Sequence, residues 1–108
     1  MATELSPERL AEKLRGTDDP VFLLDVREPD ERELAHIEPS HHIPMREVPQ
    51  RLIEIPRDRE VVVYCHAGGR SATIVAYLES RGYSQVANLH GGIDAWSIRV
   101  DPNVPRYG

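Results

Sequence analysis

Cysteine is almost missing: Cys65 is the only one in 108 residues. A lone thiol excludes an intramolecular disulfide. It also excludes a dithiol mechanism, which needs a resolving cysteine in the same chain. Basic charge is in deficit, with 13 Lys and Arg against 18 Asp and Glu and a formal net charge of -5. Lys13 is the one lysine. This balance argues against a nucleic-acid partner, which needs a basic face. It leaves room for a local positive pocket that takes a small anion. No apolar run approaches membrane-spanning length, so no membrane partner is expected. MATELSPERL lacks the apolar core of a signal peptide. The expected location is the cytoplasm, where a free thiol stays reduced. His36, His41, His42, His66 and His90 fall in no recognised metal-ligand spacing with Cys65, and no metal is expected. Adjacent His41 and His42 on a strand would face opposite ways.

What is present fits one soluble domain over residues 1–108, with 40% hydrophobic and 29% charged residues. The pattern predicts a short helix over Leu5–Leu14, with Ser6 as N-cap, Pro7 in the first turn and Gly16 as the stop. Leu5 and Leu10 are spaced for a hydrophobic staple. Val21–Val26 reads as a strand covered on both faces. Pro29–Leu34 reads as a helical turn or so and Ser40–Ile43 as a short strand. Val48, Leu52 and Ile55 have helical spacing, with Pro49 tolerable only in a first turn. Val61–Tyr64 is the central strand, Ser71–Glu79 a helix, Gln85–Leu89 a strand and Ile93–Ile98 a short helix. The tail Val100–Gly108 is expected to lie extended on the surface. Strands alternating with helices predict an α/β fold with a mostly parallel sheet. Ligands of such sheets sit beyond the strand carboxyl ends, where the loops after Val26, Tyr64 and Leu89 gather.

Val61–Val75, VVVYCHAGGRSATIV, organises the chain. A strand, a tight glycine loop and a helix N-terminus together present unpaired N–H groups and partial positive charge. Cys65 at the strand end would hold its sulfur in that field, which favours thiolate, the nucleophile. The plain alternative is a small buried hydrophobe. Gly68 and Gly69 permit close approach of N–H groups to an anion, and Arg70 adds a fixed charge with planar donors. Asp25 and Arg27 close the first strand. They read as a structural ion pair tying down loops, with a catalytic role as the alternative. Cysteine phosphatases and arsenate reductases also use a thiolate, an N–H cradle and an arginine. Here only His66, Ala67, Gly68 and Gly69 separate Cys65 from Arg70, one fewer than the phosphatase spacing.

Four segments in order resemble the single-domain rhodaneses, a sulfurtransferase family: LLDVREPDE (Leu23–Glu31), His36-Ile37, CHAGGRSA (Cys65–Ala72) and NLHGGIDAW (Asn88–Trp96). The resemblance runs from about Leu5 to Trp96. It implies a five-stranded, mostly parallel sheet flanked by helices on both faces. It implies that Cys65 takes sulfane sulfur from a donor such as thiosulfate and carries it as a persulfide to cyanide, a thiol or a carrier protein. His66, Ala67, Gly68, Gly69, Arg70 and Ser71 would then bind substrate, with Arg70 at the mouth favouring a small dianion. Asp25 and Arg27 would support the loop, and no metal or organic cofactor would be needed. Ala35 departs from the family's usual Gly, Arg32 from an aromatic or apolar residue, and Glu38-Pro39-Ser40 from Pro-Gly-Ala. Gly91–Tyr107 is similar to the ends of rhodanese domains fused to enzymes that activate ubiquitin-like sulfur carriers. A sulfur-carrier protein or a cysteine desulfurase is thus a conceivable partner, and a tail that only packs on the domain is the plainer reading. A rhodanese-like binding or sensing module without turnover is the non-enzyme alternative.

Overall fold

The computed structural model describes residues 3–16 and 20–108. The first two residues of the expected domain lie outside them, as do residues 17–19. Strands β1 (Glu4–Leu5), β2 (Phe22–Asp25), β3 (His41–His42), β4 (Val61–Tyr64) and β5 (Val86–Leu89) pair in parallel, in the order β1-β5-β4-β2-β3. Helices α1 (Pro7–Arg15), α2 (Pro29–Leu34), α3 (Gly69–Ser80) and α4 (Gly92–Arg99) connect them, together with a 3₁₀ segment, Met45–Glu54.

All four residues of β4 are buried between β5 and β2, which is why its sequence is apolar without alternation. Successive side chains still point to opposite faces, and this divides the core in two. Val61, Val63 and Cys65 meet Ile74, Val75 and Leu78 of α3 on one face. Val62 and Tyr64 meet Leu10 of α1 and Ile93 and Trp96 of α4 on the other. Helices therefore cover both faces, and the expected α/β architecture is present. No helix among the described residues is long and apolar enough to cross a membrane.

The ends of the chain differ from expectation. Ser6 caps α1, its hydroxyl accepting the Arg9 N–H at 3.1 Å, but the preceding Glu4 and Leu5 form a strand that pairs with Asn88 and Leu89. Two residues are too few to show a period of two. Met45–Glu54 is a 3₁₀ segment, with Arg51 outside helical backbone at φ -121°, ψ 22°. Pro49 lies inside it and contributes no N–H to its turns. The tail does more than lie on the surface. Val100, Val104 and Tyr107 pack against the α1/α4 core, and Arg106 pairs with Asp94 at 2.8 Å.

Candidate active site

Strand β4 delivers Cys65 to the carboxyl edge of the sheet, with the residue only 1% exposed. The chain then turns through Gly68, whose φ of +111° is a left-handed conformation that other residues resist. Helix α3 starts at Gly69, two residues before the expected Ser71. This puts Gly69, Arg70 and Ser71 in its first turn, where N–H groups have no partner within the helix.

Those groups close on the sulfur. Gly68 N donates to Cys65 Sγ at 3.1 Å, Ser71 N at 3.4 Å and Ser71 Oγ at 3.3 Å. The Ser71 hydroxyl has a second acceptor in Asn88 Oδ1. Asn88 Nδ2 in turn donates to Gly68 O at 3.2 Å and Glu4 Oε2 at 3.0 Å, which ties the loop to β5 and the N-terminus. Burial pushes the Cys65 thiol up. The donations from the Ser71 hydroxyl and from the N–H groups of Ser71, Gly68 and Ala67 outweigh it and hold the thiol below its ordinary value. Ser71→Ala is therefore expected to move the pH profile of iodoacetamide alkylation at Cys65 toward alkaline pH. At pH 6 the rate falls by about tenfold, the size of one charge-assisted hydrogen bond. An unchanged profile would mean that the backbone alone sets the thiolate.

Arg70 does not point a free charge at this cup. Its guanidinium grips Glu31 of α2 in a bidentate pair at 2.7 and 2.9 Å. Glu31 also accepts the Tyr107 hydroxyl at 2.8 Å and the Glu28 N–H at 3.1 Å. The Arg70 bonds chiefly, against the pull of burial, hold the Glu31 carboxyl down at about 2. Burial first, then the facing Glu31 carboxylate, pushes the Tyr107 phenol up to about 12, so it stays a donor.

His66 packs its ring against Tyr107, tilted by 52° with centroids 4.4 Å apart, and its buried Nδ1 has no hydrogen-bond partner among the described residues. Among the described residues, no atom beyond its own turn of helix would obstruct a Cβ at Gly69. Gly92 is the opposite case. At φ +62° its Cα lies so close to the loop that a Cβ would come 2.4 Å from His66 O and 2.5 Å from Cys65 O. That closeness lets α4 reach the same carbonyls, Ile93 N donating to Cys65 O at 2.9 Å and Asp94 N to His66 O at 3.1 Å.

Asp25 and Arg27 form a closed fork, both fully buried, with Nε to Oδ1 at 2.9 Å and Nη2 to Oδ2 at 2.8 Å. The remaining Arg27 donors reach Ala35 O, Glu31 O and the Tyr107 hydroxyl. The pair thus ties α2 and the tail together, and reaches the Cys65 loop through Tyr64, whose hydroxyl donates to Asp25 Oδ2 at 3.1 Å, through Tyr107 against His66 and through Glu31 against Arg70. Burial opposes the Asp25 charge, yet Arg27 and Tyr64 keep its carboxyl below the usual range. Arg32 adds a second cation, Nη1 to Asp25 Oδ2 at 3.1 Å, and bonds Ser40. Its polar head explains how this position does without an apolar residue. Ala35 has φ -169°, extended backbone that needs no glycine. His41 is engaged with Glu54 at 2.7 Å, and His42 with Arg27 O at 2.7 Å.

Sequence reasoning passed over Glu31, Asn88, Gly92 and Tyr107. The first three stand inside segments already singled out, LLDVREPDE and NLHGGIDAW. Tyr107 lies in a tail with no periodic signal.

The chain is similar to known proteins in sequence and in fold. The family model of the rhodanese-like domain matches residues 6–99. A protein of Allochromatium vinosum named sulfurtransferase is 44% identical over 108 residues, the whole of both chains. The maize adenylyltransferase and sulfurtransferase MOCS3-1 is 33% identical over 102 residues, 88% of this chain and 22% of that protein. The crystal structure of a rhodanese-like domain protein from Staphylococcus aureus superposes with a TM-score of 0.84 at 29% identity, covering 98% of this chain and 99% of that one. With the family match spanning nearly the whole chain, a full-length relative named sulfurtransferase and the same parallel sheet, this chain belongs to the rhodanese-like domain family, a family of sulfurtransferases.

Proposed function

We propose that the chain moves sulfane sulfur from a donor to a thiophilic acceptor through a persulfide on Cys65. The observation that carries this reading is the sulfur held at the end of β4 by Gly68 N, Ser71 N and Ser71 Oγ. Those donors favour the attacking thiolate, and the same fixed dipoles suit the negative charge of the persulfide that follows. With thiosulfate, Cys65 Sγ bonds the outer sulfur, the sulfur–sulfur bond breaks, and sulfite leaves with the bonding pair. Cyanide then attacks the outer sulfur of the persulfide, thiocyanate departs, and the thiolate returns. In this reading Ala67 N joins Gly68 and Ser71 as a donor to the sulfur, His66 and Gly69 complete the substrate-binding loop, and Asp25 with Arg27 supports it. The sulfur is carried covalently, so neither metal nor organic cofactor enters the scheme. The lone, thiolate-favoured cysteine suits the reducing cytoplasm. A protein acceptor or donor, a sulfur carrier or a cysteine desulfurase, is the natural partner class, in keeping with the maize relative's combination of adenylyltransferase and sulfurtransferase in one chain.

Steady-state thiocyanate formation tests the proposal. Varying thiosulfate at several cyanide concentrations is expected to give parallel double-reciprocal lines, the signature of a covalent intermediate between two half-reactions. Intersecting lines would overturn the double displacement. Thiocyanate formation absent with every donor, alongside tight protein binding insensitive to Cys65→Ser, would favour a binding module.

A further inference from the structure

We infer that Glu31 is the specificity-determining residue of this site: by holding Arg70 in a closed ion pair it disfavours inorganic dianionic donors relative to organic persulfides. The inference rests on the sulfur-transfer reading and adds the donor class to it.

Charge and shape lead to the same donor. Arg70 is the cation nearest in sequence to Cys65, and Glu31 takes up its guanidinium in two hydrogen bonds, with a third held by the Tyr107 hydroxyl. Through Tyr107 the pair joins Arg27, Asp25 and Arg32 in one hydrogen-bonded network. Its three arginines and two carboxylates leave a net single positive charge. Arg46, which lines a cleft with Arg70, is likewise paired, with Glu28 at 2.7 Å, so a dianion arriving from this side meets arginines already held by carboxylates until one of these pairs opens. Glu31 has only 16% of its side chain exposed, so opening would strand a half-buried carboxylate. That cleft, of about 420 Å³, has apolar walls from Met45, Pro49, Ile74 and Tyr77 and is completed by Arg70, Thr73 and the Arg46–Glu28 ion pair. Apolar walls gain by covering carbon. Thiosulfate has none to offer, whereas the organic part of a thiol persulfide does. In that reaction Cys65 Sγ bonds the donor's outer sulfur, the sulfur–sulfur bond breaks, and the pair leaves with the donor's thiolate. The proton on the outer sulfur stays with the new persulfide.

The test measures kcat/KM of wild type and Glu31→Gln with thiosulfate and with glutathione persulfide, at low and high salt. Glutamine keeps an oxygen for the Glu28 N–H and releases the Arg70 charge. The ratio of thiosulfate to persulfide efficiency is expected to rise about tenfold in Glu31→Gln at low salt, the scale of one uncovered charge at contact distance. The gain should fade as salt rises, while the wild-type ratio stays nearly flat. Arg70→Leu, which leaves Glu31 uncompensated, should lower the ratio, and Glu31→Gln/Arg70→Leu should return it toward wild type. A merely structural role predicts losses with both donors and no salt dependence. An unchanged or lower ratio in Glu31→Gln, or parallel gains with both donors, would overturn the inference and leave sulfur transfer standing. Failure of both donors with the wild type would overturn the two together.

Discussion

Arg27→Met is expected to lower stability by about 3–5 kcal/mol, the cost of breaking a buried ion pair from one side. Methionine fills much of the same volume, so the loss is electrostatic. Asp25 stays fully buried with Arg32, the Tyr64 hydroxyl and the backbone N–H of residue 27 as partners, and Ala35 O, Glu31 O and the Tyr107 hydroxyl lose a donor. In the wild type the Asp25 carboxyl titrates below its ordinary value. Its contribution is therefore fully present above the unfolded value, about 3.9, and is lost as pH falls through the lower folded value. Without Arg27 the buried carboxylate loses its chief cation and its titration moves up. The gap between variant and wild type should thus be widest at neutral pH and narrow near pH 4. Asp25→Leu/Arg27→Met should recover part of the loss, because no fully buried charge is then left unpaired and the partly exposed Arg32 keeps its bonds to Ser40. Urea unfolding at two pH values measures all three, and a single-variant loss under about 1 kcal/mol would show that the fork is dispensable.

Gly92→Ala is expected to lose at least about 3 kcal/mol, from a left-handed residue forced to carry a Cβ and from a collision with backbone. The atoms it meets are the carbonyl oxygens of Cys65 and His66 at 2.5 and 2.4 Å, so α4 must withdraw from the loop it holds. Two further hydrogen bonds, from Ile93 N and Asp94 N, go with it. The thermal midpoint should fall by about 10 °C or more in a domain of this size. Gly69→Ala is the contrast, since among the described residues no atom beyond its own turn of helix lies within 4 Å of its Cβ and its backbone is helical. It should leave the midpoint almost unmoved. Equal effects of the two substitutions would contradict this division of labour between the glycines.

How far the sequence reaches can be judged from these same residues. The buried strand VVVY, the Ser6 cap and the alternation of strands with helices follow from local rules of period and capping. Cys65, Gly68 and Ser71 lie within seven residues, so their meeting at one sulfur was legible as a strand–loop–helix unit. The two-residue strand Glu4–Leu5 was not, because it exists only by pairing with β5. The 3₁₀ segment kept the apolar spacing of an α-helix, so its tighter turns were not legible in that spacing. The partner of Arg70 was hidden for a different reason. Glu31 is one of several acidic residues in its stretch and lies 39 positions away, and only the turn of α2 toward α3 brings it to the guanidinium. Tyr107, 76 positions from Glu31, arrives by tertiary packing alone. Motif spacing located the nucleophile; the charge balance around it is a property of the fold.

The most direct measurement is the intact mass of the protein after exposure to glutathione persulfide or excess thiosulfate, desalting, and a second reading after cyanide. The wild type should gain one sulfur atom per chain and lose it as thiocyanate, while Cys65→Ser gains none. No added sulfur from either donor, or equal uptake by Cys65→Ser, would contradict a persulfide relay at Cys65.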